Sequence, residues 1–337
     1  MKKSQITICI VTAILLAAAS PLFAQQRKVT IKLASMIPEN TAWGQALNRM
    51  AAEWSKATNG EVELIIYHNG VMGDEGQVLK KLRQNQINAA VFSSIGLAGV
   101  MPEIMSLSYP FLIRTNDEFE EVLNKMKPDL DAQIEKNGFK TLSWTRAGWL
   151  KLFSRAPVYS PNDARKQKIG SSPDTPEMTQ AFKAIGFRIE EVGMTELMTS
   201  LASTKIDAVY LSPIACASFQ LFGIAKNMSS LNLCPFMGGM LMHKEAWRRI
   251  PDKYKPELER ITQKLAAELD TGILDLEKEA ITTMVKYGLV VNQLSPAQEQ
   301  EWRTEFENRK WDLLGPIFSP AIYNRVSSIL DEYRKGR

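Results

Sequence analysis

Anion capture is the chemistry most open to this chain. "KQKIGSSPDTPEMTQAFKAIG", Lys166 to Gly186, reads as the end of a strand, a turn of small residues and then a helix with a cap among Ser172, Asp174 and Thr175. Free backbone N–H groups in such a turn, together with a helix N-terminus, favour negative charge. Catalysis finds less support. The only histidines are His68 and His243, and neither stands in a HExxH run, a GxSxG elbow or a Cys/His cluster. Both read as solvated or internally satisfied side chains. Asp74 and Glu75 are adjacent carboxylates, but ahead of a helix they read as favourable first-turn charges and not as an acid and base pair. No GxGxxG follows the first strand and no GxxxxGK occurs, so nucleotide chemistry has no support and no cofactor is expected. "CPFMGGMLM", Cys234 to Met242, is the most distinctive apolar run. It reads either as an ordinary core strand or as one whose Phe236 and Met237, beside two glycines, face a ligand.

The elements around these residues follow a repeated order. "KVTIKLAS" alternates as a strand does and runs into the loop "MIPEN", which holds Met36. Trp43 to Thr58 places apolar residues three and four apart, the spacing of an amphipathic helix. "EVELIIYHNG", Asp74 to Gln84 and Ile87 to Ser94 continue as strand, helix and strand. A helix starts near Asn116, and Gly138 to Val158 is long enough for two strands in succession, one of which crosses between domains. A second unit follows: "QKIGSS", a helix at Glu177 to Ile185, "FRIEEVG", a helix at Thr195 to Ser203, and "IDAVYLS". Alternation of this kind implies a mostly parallel sheet with helices on its faces. Pro251 to Tyr287 is helical almost throughout and would reach about 55 Å at 1.5 Å per residue, enough to span two small domains. Ser295 and Pro296 open a further helix.

Composition bounds the function class. Lys2 and Lys3, an apolar run to Ala19 and a cleavage point at Ala24 describe a signal peptide over residues 1 to 24, a removable leader that points to the periplasm. A retained membrane anchor is the other reading of the run, which lies near the lower length limit for a span. The formal charge of +4 falls to +2 when the leader leaves, which excludes a nucleic-acid polyelectrolyte. With 45% hydrophobic residues the chain can bury two domain cores. Cys216 and Cys234 remain after Cys9 departs, enough for one bridge or two buried thiols.

Taken in order, these segments resemble the substrate-binding proteins of tripartite ATP-independent periplasmic (TRAP) transporters, the DctP family. "IKLASMIPENTAWGQALNRMAAEWSKATNGEVEL" is similar to that family's first strand, loop and helix, and "NGVMGDEGQVLKKLRQNQINAAVFSS" and "MPEIMSLSYPFLIRTNDE" to the two segments after it. "KIGSSPDTPEMTQAFKAIGFRIEEVGMTELMTSLASTKIDA" resembles the family's later strand and helix signature, and "LMHKEAWRRIPDKYK" its approach to the long helix. The resemblance implies an α/β, two-lobed periplasmic-binding-protein-like fold with a mixed, mostly parallel sheet in each lobe, crossing strands as the hinge and one long helix spanning both lobes. Lobe I is expected over 27–147 and 236–275, and lobe II over 148–235 and 276–337. It implies no enzyme, but a carrier that hands a small molecule to the TRAP integral membrane subunits, in some systems with an accessory helical-repeat protein.

The resemblance also implies a carboxylate ligand held by arginine, and here the chain departs. In the family's "K(I/L)RVP" pattern the arginine is Gly170, followed by Ser171, and a second arginine position on the crossing strand is Leu150. The polar "DGQENP" segment is "DAVYLSP", with Val209, Tyr210 and Leu211, and Ser93 stands where some members carry a carboxylate. The expectation is a hydrophobic or amphipathic ligand in a cleft lined by Met36, Ser93, Trp149, Leu150, Gly170, Ser171, Val209, Tyr210, Leu211, Phe236 and Met237. The alternative is an organic acid held by Arg146, Lys151, Arg155 or Lys168. Simple alternation puts Arg146, Gly148 and Leu150 on one face, which makes Arg146 the leading cation. An enzyme on a similar fold would need an acid, base or nucleophile that the sequence does not offer, and an interaction protein that has lost its ligand would have a cleft filled by side chains.

Overall fold

The computed structural model describes residues 28–336; the expected signal peptide, Cys9 and the start of lobe I at residue 27 lie outside them. The first lobe is built as the periodicity predicts. Strand β1 (Val29–Ala34) leads into helix α1 (Ala42–Ala57), β2 (Val62–Tyr67), α2 (Glu75–Arg83), β3 (Ala89–Ser93) and the short α3 (Ser94–Ala98). Thr41 starts α1 by accepting from the Gly44 N–H at 3.1 Å, and the helix buries Ala46, Leu47, Met50 and Trp54. A 3-10 segment (Pro102–Ser108) and the long α4 (Asn116–Lys136) complete this face.

Gly138 to Val158 forms one strand and not two. β4 (Phe139–Ser154) runs 16 residues and belongs to both lobes. Beyond it lie α5 (Pro161–Arg165), β5 (Lys168–Ser171), α6 (Pro176–Ala184), β6 (Arg188–Glu191), α7 (Leu197–Ala202), β7 (Ala208–Leu211) and α8 (Pro213–Ser218). The chain returns through β8 (Asn227–Ser229) and β9 (Cys234–His243) and continues through α9 (Lys244–Arg249) into the long helix α10 (Lys255–Lys286). It closes with β10 (Val290–Asn292), α11 (Pro296–Asn308), α12 (Lys310–Leu313) and α13 (Pro320–Lys335).

The strand order β2-β1-β3-β9-β4-β7-β5-β6 shows how the lobes are joined. β1 pairs in parallel with β2 and β3, and β5 pairs in parallel with β6 and β7. β9 and β4 are the antiparallel insertions between them. β4 pairs with β9 from Phe139 to Leu150 and with β7 from Lys151 onward, so one strand leaves the first sheet and enters the second.

Helix α10 also serves both lobes. At 32 residues it is about 48 Å long. Its first half sends Leu258, Ile261 and Leu265 into the core of Ile31, Leu33 and Trp54, while Met284 near its end packs with Phe153, Val209 and Leu211. A third core lies on the other faces of both sheets and includes Phe92, Phe119, Ile169, Phe187, Trp302 and Phe306. No helix among the described residues is long and apolar enough to cross a membrane.

The stretch expected in lobe II as 276–337 divides. Its last helix, α13, packs on α4 and on residues 102–108, both in the stretch expected as lobe I. Tyr109 meets Tyr323 edge-on at 4.8 Å, and the Ser319 N–H donates to Ser106 Oγ at 2.8 Å. Arg334 donates to both oxygens of the buried Glu118, at 2.8 and 3.1 Å. Burial alone would raise the Glu118 pKa, but the hydrogen bonds from Arg334 and from the Arg114 N–H outweigh it and hold the group below the ordinary carboxylate range. Since the folded-state pKa is the lower one, this stability is present above the unfolded pKa and fades as pH falls through the folded value. Arg334→Ala should therefore cost about 1 to 3 kcal/mol near neutral pH and progressively less in acid. Denaturant melts at neutral pH and near pH 3 check this, and an equal loss at both would rule out the ion pair as the fastening of α13.

Candidate functional site

Between the lobes lies a cleft of about 290 Å³. From the first lobe it takes Met36, Trp43, Phe92 and Ser93, with Phe236, Met237 and Gly238 of β9 in its floor. The second lobe supplies Leu150, Gly170, Ser171, Phe182, Phe219 and the run Val209, Tyr210 and Leu211. Of the expected residues, Trp149 and all four candidate cations, Arg146, Lys151, Arg155 and Lys168, are absent from its wall.

A bulge in β4 explains the absence of Arg146 and Trp149. The register with β9 passes from Arg146↔Met237 to Trp149↔Pro235, three steps on one strand against two on the other. The extra residue reverses which face each later side chain takes. Thr145, Ala147 and Leu150 therefore line the cleft together, where simple alternation had joined Leu150 to Arg146. Gly148 makes the turn with φ of +83°, and a Cβ there would lie 2.5 Å from Glu277 Oε2. Arg146 points to α10 instead. Its N–H donates to Asp270 Oδ1 at 2.7 Å, and its guanidinium lies 3.6 Å from Asp270 Oδ2 and 3.3 Å from Glu120. Trp149 is buried with its indole N–H donating to Asn116 at 3.0 Å.

The other cations considered for the cleft are spent in the same way. Lys151 Nζ donates to the Ser230 carbonyl at 3.0 Å and to Asn232 at 2.7 Å; its pKa is lowered by burial despite Glu277 nearby. Arg155 donates to the Leu201 carbonyl and Lys168 to the Thr204 carbonyl. Among the described residues, no Lys, Arg or His lines the cleft. Its charged groups are Asp74, Glu75 and Asp174, all acidic.

These three carboxylates are the site residues that sequence reading missed. They are not simple first-turn or capping charges. Asp74 accepts from the N–H and hydroxyl of Thr195 in the other lobe, both at 3.3 Å. Asp174 answers in the opposite direction, accepting from the Gly76 N–H at 3.0 Å; of the three cap candidates it is Thr175 that takes the N-cap position of α6, with no side-chain cap bond. Each contact needs a glycine: a Cβ on Gly193 would lie 2.3 Å from Asp74 Oδ2, and one on Gly76 would lie 2.1 Å from Asp174 Oδ1. The adjacent acid pair before one helix and the acid before another were visible signals, but nothing local tells that Asp74 and Asp174 reach across to each other's lobes.

The polar remainder is small. Tyr210 lines the cleft, and burial raises its pKa, which keeps its hydroxyl neutral. Cys234 also lines the wall; burial pushes its thiol up to about 12, and both Cys216 and Cys234 are free. Gly238 lets β9 approach β3, since a Cβ there would meet the Phe92 carbonyl oxygen at 2.5 Å. His68 bonds Asn48 at 2.9 Å, and His243 accepts from the Glu245 N–H at 3.2 Å at the start of α9, so both are structural.

A two-lobed shell around one enclosed cleft, with a shared strand and a shared long helix, is a binding architecture. The model of "bacterial extracellular solute-binding protein, family 7", DctP, matches residues 33–311. The chain belongs to this family. Among curated relatives it is similar to the 2,3-diketo-L-gulonate-binding periplasmic protein YiaO of Escherichia coli, 27% identical over 232 residues, 66% of this chain and 70% of that one. Among solved structures it is similar to a TRAP periplasmic solute binding protein from Sulfurospirillum deleyianum with bound succinate, at 20% identity, covering 90% of this chain and 99% of that one with a TM-score of 0.83. One from Desulfovibrio salexigens with bound orotic acid gives 19%, 91%, 99% and 0.81. These likenesses agree with the DctP fold of two lobes and a mixed sheet.

The reciprocal bonds across this DctP-type cleft predict a measurable effect. Gly193→Ala should push Asp74 away and open the mouth, giving a larger radius of gyration by small-angle scattering than the parent at the same pH. An unchanged curve would mean that these contacts do not hold the lobes together.

Proposed function

We propose that this DctP-family protein captures a hydrophobic or amphipathic small molecule in the periplasm and delivers it to the integral membrane subunits of a TRAP-type transporter. It acts as a carrier and not as an enzyme. The observation that carries the reading is the cleft wall, which combines aromatic and aliphatic side chains with three carboxylates and no cation. A carboxylate drawn into such a site loses hydration worth several kcal/mol, and the arginine that would offset it is missing. An apolar ligand gains about 25 cal/mol per Å² buried, so roughly 200 to 300 Å² supplies about 5 to 7 kcal/mol before ordering costs.

Release and capture need the lobes to part. The crossing strands β4 and β9 are the hinge in this reading, with the bulge at Arg146 to Trp149 as its weakest paired point and α10 bending alongside. An accessory helical-repeat protein is a further candidate partner that follows from the family resemblance.

The second reading is an organic acid. What favours it is the company this chain keeps, including the succinate and orotic acid bound in the structures above. Arg146 is the group that reading most needs, and its side chain is engaged by Asp270 and Glu120.

Titration separates the two. The neutral fluorophore N-phenyl-1-naphthylamine should bind with micromolar affinity and raise the melting temperature, while succinate and glucuronate should do neither. Micromolar binding of a simple dicarboxylate would sink the apolar reading. Gly170→Arg is the companion test, because a Cβ at this position meets only side-chain ends, Ile206 at 3.0 Å and Leu197 and Val209 at 3.6 Å. The variant should gain about tenfold or more in carboxylate affinity, the worth of one good charged hydrogen bond, and lose the fluorophore. A variant that changes in neither respect would show that the pocket has been misplaced.

A further inference from the structure

Glu75 opens α2, and its side chain reaches back to the end of β3. Oε1 accepts from the Ser93 N–H at 2.6 Å, and Oε2 accepts from the Ser93 hydroxyl at 2.7 Å and the Gly96 N–H at 2.9 Å. Every one of these bonds is donated to the carboxylate, so the fold uses it as an acceptor. The Ser93 hydroxyl also accepts from the Ile95 N–H at 3.2 Å, which holds its side chain in place. The position where some family members carry a carboxylate of their own is thus served by a carboxylate from the neighbouring helix.

No cation among the described residues pairs with it. Protein surrounds the group, burial raises its pKa, and Asp174 close by adds to the effect. Glu75 lines the cleft, where no cation lies. A carboxylate oxygen accommodates about two hydrogen bonds, and Oε1 has accepted one. The cleft therefore offers one strong, charge-bearing acceptor site, set in walls that are otherwise apolar. An arriving anion would meet like charge in a poorly hydrated space, whereas an O–H or N–H donor would complete the carboxylate's shell and relieve its burial.

We propose that Glu75 selects the polar end of the ligand: the cleft takes an amphipathic molecule whose head donates a hydrogen bond, an alcohol or a protonated amine, and rejects the same molecule bearing a carboxylate. This rests on the apolar-ligand reading above and adds to it the chemistry of the head. Glu75 is a specificity-determining residue in this scheme, with Ser93 and Gly96 holding it in place.

Calorimetric titration of the mature chain with octanol, octylamine and octanoate tests it, since the three share a tail and differ in the head. Octanol or octylamine should bind at least about tenfold tighter than octanoate, and whichever of the two leads tells whether the head is neutral or charged. In Glu75→Gln, octanoate should gain and octylamine should lose about tenfold each, with octanol nearly unmoved. Octanoate binding as tightly as the others in the parent would overturn the role of Glu75 while leaving the apolar cleft intact. Failure of all three to bind would overturn the apolar-ligand reading, and this inference with it. The ranking in the parent stands without the variant, so a Glu75→Gln chain that does not fold leaves the proposal open to refutation.

Discussion

One extra residue in β4 governs the rest of the molecule. A strand that serves two sheets must change partners, and the bulge between Arg146 and Trp149 comes just before the change. It breaks the ladder, so backbone groups there need other partners. The long helix provides them. Asp270 accepts the Arg146 N–H at 2.7 Å, and Glu277 lies against the bulge at Gly148. Seven residues apart, the two acids lie two turns along one helix face. The crossing strand and the spanning helix are therefore fastened to each other at the point where the lobes meet.

The same bulge decides the electrostatics of the cleft. By reversing the strand's faces it gives the cleft Leu150 and turns the Arg146 side chain toward Asp270 and Glu120. Lys151, next in line, is drawn to Ser230 and Asn232. Burying Glu277 beside Gly148 is costly in itself; its pKa is raised by desolvation although Lys151 pulls the other way. The positive charges near the lobe junction are thus consumed in holding the junction together. What reaches the cleft from this part of the chain is Thr145, Ala147 and Leu150, and a wall without a cation follows from the way the junction is fastened.

Much of the fold was legible because it follows local rules. Alternation located the strands, three and four spacing located α1 and α10, and Ser295 with Pro296 marked the start of α11, where Ser295 and Gln298 form a capping box. The apolar cleft was legible too, through Gly170, Val209, Tyr210 and Phe236. Arg146 was not, because alternation assumes an unbroken ladder and a bulge has no reliable local signature beyond a glycine such as Gly148. The cleft carboxylates, of which Asp74 and Asp174 bridge the lobes, failed for a different reason. Asp74, Glu75 and Asp174 occupy positions where a first-turn or capping charge is always a sufficient explanation, and only the three-dimensional arrangement shows that each has taken a more distant partner. The closing helix is a third case, since its docking through Arg334 on Glu118 depends on a residue 216 positions away.

The turn at Gly170 to Thr175 brings these threads together. Free amides at loop and helix starts are what an incoming anion would seek. In this protein the candidate amides are taken by internal carboxylates: Gly76 at the start of α2 by Asp174, Thr195 by Asp74, and Ser93 and Gly96 by Glu75. Closing the lobes makes the first two of these contacts, so closure itself removes the donors that a carboxylate ligand would use. Each such bond also places a negative charge at the cleft, which raises the cost of admitting another. Gly170 in place of a charged side chain is then one part of a consistent arrangement, in which backbone donors around the cleft are taken by the protein's own carboxylates.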